Sequence, residues 1–431
     1  MKYFGTDGIR GRVGGLLTEE FLQKIASAIA TESKIKRCVI GGDTRASTQW
    51  ITEIMGKTFS LYKIQIMNID VVSTAALAYM TERLGGCVGI MVTASHNPHD
   101  WNGVKLFDKN GEKMGEDRLL QIEQLIDTQI EATGSESGEI KVNISAIDKW
   151  IDFLMLKFSH LKNYKDKPKI FLDCANGSGG DVAIKILGNL GFELDILNNS
   201  PDGYNINEKC GATDTGLLEK RIKAFKDEKF IGFAFDGDAD RCVAVNHYGD
   251  EIAGDALLAS LAVHLDVDKM ASTILFNLGA EEYLKAKGIE VIKTKVGDKY
   301  VLRAVKEKSL MLGGEPNGHI VFPSIYKNGD GLITLLMTLE MVLKSGKCLH
   351  EITKDIPIYP SKNLNVVASR NQKEKIQKPE FVAFIKSLEA SNPNYKIITR
   401  PSGTEDIIRI TVEGKNKKKC EQIADIIAKC L

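Results

Sequence analysis

Short apolar runs rich in valine, isoleucine and phenylalanine alternate with segments of helical period, and this alternation limits the fold more than any other feature of the chain. Phe21, Leu22, Ile25 and Ile29 recur at helical spacing, and the run at 88–92 reads as a buried strand. Further strands are predicted at 170–172, 230–235 and 274–276, and further helices at 181–190, 257–265 and 283–287. That order is the signature of an α/β protein. A chain of 431 residues exceeds what one hydrophobic core organises, and at roughly 150 residues per domain about three are expected from length alone. The polar, aperiodic stretch at 133–141 marks a first boundary, and Tyr248-Gly249 marks a second. Three successive mixed α/β units of similar topology are therefore expected at 1–147, 148–249 and 250–360. From 356 to 369 the chain carries Pro357 and Pro360 and reads as extended; a strand-like pair and an amphipathic helix with Ile423, Ile427 and Leu431 follow. A smaller α+β unit is expected there, at 361–431.

Composition excludes several classes of function. Lys plus Arg and Asp plus Glu both number 57, so no global field draws nucleic acid or an anionic membrane, and any anionic ligand must be held by local chemistry. The basic run at 414–419 reads as a solvated helix start. Eight cysteines stand without a CxxC pair, which favours a reducing compartment. The first residues lack an apolar signal region and no window approaches 18 apolar residues, so a cytoplasmic protein is expected.

Four loops carry chemistry-bearing residues. After the run at 88–92 comes TASHNP, where Pro98 pushes Asn97 out of the helical region and the turn is expected to present Ser95 at the surface, unburied. Ser95 reads either as a turn-forming hydroxyl or as a covalent carrier with His96 and Lys105 beside it. Asp236, Asp238 and Asp240 lie two residues apart between two apolar strands and would repel one another without a cation, which suits an oxygen-ligated Mg²⁺. An EF-hand is excluded, because Arg241 stands where its glycine belongs and His247 where its glutamate belongs; an acidic surface turn stays open. Arg241 also suggests a nearby phosphate. The loop GGEPNGH sets Glu315, Asn317 and His319 among glycines, a group suited to sugar hydroxyls and proton transfer or to a solvated tight turn. Arg400, Ser402, Gly403 and Thr404 form a dense set of donors with Arg409 close by, a phosphate cradle unless Arg400 merely pairs with a nearby acid.

With these loops in this order, the chain resembles the α-D-phosphohexomutase superfamily over essentially its full length, and FGTDGIRG, PDGYNINEKCGAT and KVGDKYV are similar to its phosphoglucosamine mutase branch. The resemblance implies four domains around a central cleft, with Ser95 phosphorylated and Mg²⁺ held by Asp236, Asp238, Asp240 and a phosphoserine oxygen. It further implies that Glu315 to His319 read the sugar, that Arg400 to Thr404 hold its phosphate, that Arg10 meets the phosphoserine and that Lys295 lies in the sugar cleft. Lys105 and His319 become the candidates for acid and base. The implied reaction interconverts glucosamine 6-phosphate and glucosamine 1-phosphate through a hexosamine 1,6-bisphosphate and feeds UDP-N-acetylglucosamine for cell-wall synthesis. The partner is then a small sugar phosphate, with no nucleic acid or membrane, and a homodimer is compatible. Two readings stay open beside it: a phosphomannomutase or phosphoglucomutase, and a catalytically silent sugar-phosphate binder. Three departures bear on the choice. Pro316-Asn317 replaces a serine-bearing pair, Asp406 stands where proline is usual, and VVSTAA lacks a proline after Thr74, a change expected to be structural.

Overall fold

The computed structural model describes residues 1–85, 87–128, 140–143, 145–225, 229–402 and 406–431. Most of the polar stretch at 133–141, and the candidate residues Gly403 and Thr404, lie outside these residues.

The first sheet contains β1 (Ile9–Arg12), β2 (Arg37–Gly42), β3 (Gln65–Val71), β4 (Cys87–Val92), β5 (Trp101–Phe107) and β6 (Ile140–Val142), in the order β1-β5-β4-β2-β3-β6. The strands from β4 to β6 in that order are parallel, β5 runs antiparallel to β4, and β1 pairs antiparallel with β5 at the edge. Strand β4 is apolar throughout because both of its faces are covered. Val88, Ile90 and Val92 face the cluster built with helices Glu19–Ser33 and Ala46–Leu61, and Met91 faces the cluster that contains Thr74–Leu84.

The second sheet holds β7 (Lys169–Asp173), β8 (Leu194–Leu197), β9 (Phe230–Phe235), β10 (Cys242–Val245) and β11 (Glu251–Ile252), in the order β11-β10-β9-β7-β8. The third holds β12 (Lys269–Thr273), β13 (Glu290–Thr294), β14 (Gly313–Gly314) and β15 (Ile320–Val321), in the order β13-β12-β14-β15. The fourth is antiparallel: β16 (Ser361–Val367), β17 (Tyr395–Pro401) and β18 (Ile407–Gly414), with β18 central. Three mixed α/β sheets followed by a smaller antiparallel one match the fold class expected from the sequence.

Two details correct the sequence reading. The strand expected at 274–276 lies earlier, at Lys269–Thr273, where Ala271, Ser272 and Thr273 are fully buried; the apolar residues after it form a turn before helix Leu278–Ala286. Small side chains suit the crowded centre of the sheet, so apolarity alone misplaces the strand. The last unit holds three strands rather than two, and a further helix, Pro379–Ser391.

One event recurs in the first three sheets: a parallel strand turns back into an antiparallel neighbour. It happens between β4 and β5, between β9 and β10, and between β14 and β15. These turns contain Ser95, the three aspartates, and Glu315 to His319, respectively. The phosphate-cradle candidate occupies the β17–β18 hairpin.

The first three units share one continuous apolar core. At their junction Tyr79, Trp150 and Tyr326 meet with ring centroids 5.2 to 5.9 Å apart, and each such pair is worth about 1 kcal/mol beyond its buried area. The fourth unit has its own core, around Ile408, Ile410, Val412 and Ile423. It joins the third through polar contacts: Glu413 accepts from the Leu278 amide at 2.6 Å, and Lys396 Nζ donates to the Phe276 carbonyl at 2.6 Å. Three candidate loops therefore ride on one rigid body and the fourth on a separately packed one. No helix among the described residues is long and apolar enough to cross a membrane.

Candidate active site

Ser95 is fully buried, which corrects the expectation of an exposed serine. The turn does project from the sheet, but the second unit closes over it: Ser95 Oγ donates to Asp236 Oδ2 at 2.7 Å, and Asn207 Nδ2 donates to the Ser95 carbonyl at 2.9 Å. Ser95 adopts φ 53°, a left-handed conformation that costs a non-glycine residue strain unless its surroundings enforce it. Arg45 enforces it. Its fully buried guanidinium donates to the carbonyls of Ser95 (2.9 Å), Asn97 (2.8 Å), Trp101 (3.0 Å) and Pro98, and is held by Asp43 at 2.9 Å. Asp43 also accepts from Thr93 Oγ1, which in turn accepts from the Ser95 amide.

The three aspartates offer oxygens within 4.8 Å of one another, and all are buried. Burial, reinforced by Asp240 and Asp238, pushes the Asp236 carboxyl up to about 8. Burial also disfavours charge on Asp240, but Lys105, His319 and Arg241 hold it at about 2. Lys105 Nζ lies 2.7 Å from Asp238, 3.0 Å from Asp240 and 2.8 Å from Asp7; these carboxylates overcome its burial and raise it well above the ordinary lysine range. Asp238 Oδ1 and Asp240 Oδ1 are buried without hydrogen-bond partners. An all-oxygen donor set with two such atoms fits a divalent cation of the Mg²⁺ type.

Arg241 Nε sits 3.9 Å from Asp236 and 3.8 Å from Asp240. Arg10 donates to Asn97 Oδ1 at 3.3 Å and to Asp7 at 2.5 Å, so it reaches the serine turn. His96 Nδ1 stands 3.4 Å from Ser95 Oγ; burial, with Arg241 and Arg10, lowers its imidazole to about 4 and keeps it neutral. Glu315 accepts from the Gly297 amide at 3.0 Å, and burial raises its carboxyl. Lys295 is exposed, its ammonium 5.8 Å from the Tyr300 ring centroid. Asn317 caps its own turn, accepting from the His319 amide at 3.1 Å.

Arg400 and Arg409 are directly opposed in the β17–β18 ladder. Burial and the Arg409 charge lower the Arg400 guanidinium, while Glu315 across the cleft favours it. Two guanidiniums opposed on one ladder concentrate positive charge at this end of the fourth sheet. Asp406 does not intrude: its side chain is 90 % exposed and pairs with Lys373 at 3.1 Å.

The sequence reading missed several residues. Thr74 donates its hydroxyl to Asp238 Oδ2 at 2.5 Å and its amide to the Asp238 carbonyl, so VVSTAA touches the triad and is more than a structural segment. Its signal was hydroxyls at the start of a helix after an apolar strand. Asp43 and Arg45 follow β2 as an acid and a base two residues apart, and Asp7 and Asp298 lie inside motifs already singled out.

Asp7 and Asp298 both bind Lys113, and His319 Nε2 lies 3.5 Å from Asp298, so a buried charge chain runs from the triad through Lys105, Asp7, Lys113 and Asp298 to His319. Replacing Lys113 with methionine leaves the buried Asp298 with only His319 at 3.5 Å and removes one of the three cations around Asp7, which is expected to cost about 3 kcal/mol in urea unfolding, with Lys113→Arg retaining most of the stability. A loss below about 0.5 kcal/mol would rule the chain out as a stabilising element. Burial opposes charge on Asp7 and Asp298, but their cations depress both carboxyls below the usual range. Their contribution is therefore present above about pH 4 and lost as pH falls through the lower folded-state values.

Four domain families described as phosphoglucomutase/phosphomannomutase match the chain in succession: alpha/beta/alpha domain I over 1–133, domain II over 148–249, domain III over 252–359, and the C-terminal domain over 364–430. The chain belongs to the α-D-phosphohexomutase superfamily. Within it the relatives place the chain in the phosphoglucosamine mutase branch. It is 35% identical to a phosphoglucosamine mutase of Nitratiruptor sp. over 99% of this chain and 98% of that one, and 36% identical to one of Campylobacter concisus over 100% and 98%. The fold is shared with a Burkholderia thailandensis phosphoglucomutase/phosphomannomutase family protein (TM-score 0.81, 21% identity, 99% and 97% covered). It is shared also with Aspergillus fumigatus N-acetylphosphoglucosamine mutase, solved with GlcNAc-6P and magnesium (TM-score 0.71, 18% identity, 99% and 95% covered).

Proposed function

We propose that this protein is an isomerase that interconverts glucosamine 6-phosphate and glucosamine 1-phosphate by intramolecular phosphoryl transfer, in the cytoplasm. The observation that carries the reading is Ser95 Oγ seated 2.7 Å from Asp236, inside the buried triad and between two units of the rigid body.

Ser95, once phosphorylated, gives its phosphoryl group to the free hydroxyl of the bound sugar phosphate. The bond from Ser95 Oγ to phosphorus breaks as the sugar oxygen forms its own, and a hexosamine 1,6-bisphosphate results. After the bisphosphate turns end for end, its other phosphoryl returns to Ser95 and the second monophosphate leaves. Asp236, Asp238 and Asp240, with an oxygen of the serine phosphate, would hold Mg²⁺, which supplies charge neutralisation on the transferring group. Arg10 and Arg241 flank that group and face its equatorial oxygens. Lys105, an ammonium locked among three carboxylates, fixes the triad rather than exchanging protons. His319, steadied by Asp298, takes the hydroxyl proton and gives it back. Arg400 and Arg409 grip the phosphate remote from Ser95, with Ser402, Gly403 and Thr404 completing the cradle. The separate core of the fourth unit suits a grip that must release one end of the sugar and accept the other.

Side-by-side assay of glucosamine, glucose and mannose 6-phosphates with Mg²⁺ and catalytic bisphosphate is expected to show kcat/KM at least about tenfold higher for the amino sugar. Equal or better turnover of either neutral sugar would overturn the substrate assignment.

A further inference from the structure

A cavity of about 690 Å³ lies between the first and third units, within the range that takes small organic ligands. Its lining differs from that of the catalytic cleft. Of the residues predicted for the active site only Lys105 reaches its wall, and the buried pairs of Asp7 with Lys105 and Lys113 form the partition between the two spaces.

The lining is divided by chemistry. Phe4, Met114, Leu302 and Leu310 supply apolar surface from both units. Its lysines are already committed: Lys299 binds Glu116 at 2.6 Å, Lys306 binds Glu112 at 2.7 Å and Lys327 binds Glu82 at 3.0 Å. Arg303, on helix Asp298–Glu307, is the exception among the described residues, since it lines the cavity with no carboxylate in ion-pair distance. Glu116 feels the Arg303 charge but is bonded to Lys299. A chamber with apolar patches from both units, its lysines paired off and one uncommitted guanidinium at its rim, is complementary to one kind of molecule.

We propose that this cavity binds a small amphipathic anion, with an aromatic or branched apolar body between the two units and one anionic group on Arg303. Such a ligand would bridge units one and three behind the cleft, against the wall that carries Asp7 and Lys113. The assignment does not depend on which hexose the cleft accepts.

Anilinonaphthalene sulfonate, an aromatic body with one sulfonate, is the probe. Fluorescence titration of the full chain is expected to show saturable binding that saturating glucosamine 6-phosphate does not displace. Arg303→Glu, an exposed charge reversal, and Leu302→Trp, which fills the chamber, are each expected to weaken it about tenfold or more. Absence of saturable binding, displacement by the sugar phosphate, or wild-type affinity in Arg303→Glu would overturn the proposal. Should Leu302→Trp fail to fold by circular dichroism, the Arg303 variant decides alone.

Discussion

Replacing Ser95 with alanine removes mutase turnover, by roughly a thousandfold or more, and removes a phosphate's mass from the purified protein. The expectation follows from the loss of the hydroxyl that the proposed reaction uses to carry the phosphoryl group between the two ends of the sugar. The rest of the turn is expected to survive, because Arg45 holds it through backbone carbonyls and Asn207 through the Ser95 carbonyl, none of which involves the hydroxyl. Folding and sugar-phosphate binding should therefore remain close to wild type. Turnover that stays within a few-fold of wild type would sink the carrier role, and a phosphate mass retained by the alanine variant would move the modification to another residue.

Asp238→Asn is expected to lower metal affinity by about ten- to a hundredfold and to shift the Mg²⁺ dependence of turnover upward by a similar factor. The substitution is nearly isosteric, so packing is preserved while one of three converging charges goes. Asp238 also accepts from Thr74 and Lys105, and its other oxygen, buried without a partner, is free for a cation. Calorimetric Mg²⁺ titration separates this effect from a general loss of activity. An unchanged metal dependence would show that the triad is not the metal site.

The candidate reactive residues were legible in the sequence because their patterns are local: a serine and histidine ahead of Asn-Pro, alternating aspartates, arginine and hydroxyls in one loop. Their supports were less so. Arg45 lies 50 residues from the carbonyl of Ser95 that it grips, and Thr74 lies 164 residues from Asp238, so neither role has a local pattern. Burial was misjudged for the same reason. The turn around Ser95 does project from its own sheet, but its lid comes from the second unit through Asp236 and Asn207, and spacing along the chain carries no information about that meeting. Lys105 illustrates a third limit: its residue type permits proton transfer, and nothing in its local sequence shows that three carboxylates from distant segments surround its ammonium. The misplaced strand at 274–276 shows that the centre of a crowded sheet selects for small side chains as well as apolar ones.

The recurrence of one reversal, parallel strand into antiparallel neighbour, in three successive sheets means that the reaction's separate tasks hang from equivalent pegs. In the proposed reaction, carrying the phosphoryl group, gathering negative charge and reading the sugar would each occupy a different copy of the same turn. Each turn is built on its own pair of strands, and the three meet through few contacts of their own, Ser95 Oγ on Asp236 and the Cys242 amide on the Gly318 carbonyl. Pro316 and Asn317 sit in the sugar-reading copy alone. Under the proposed roles, the appetite for one hexose or another is expected to be tunable at that peg while the machinery of transfer stays in place.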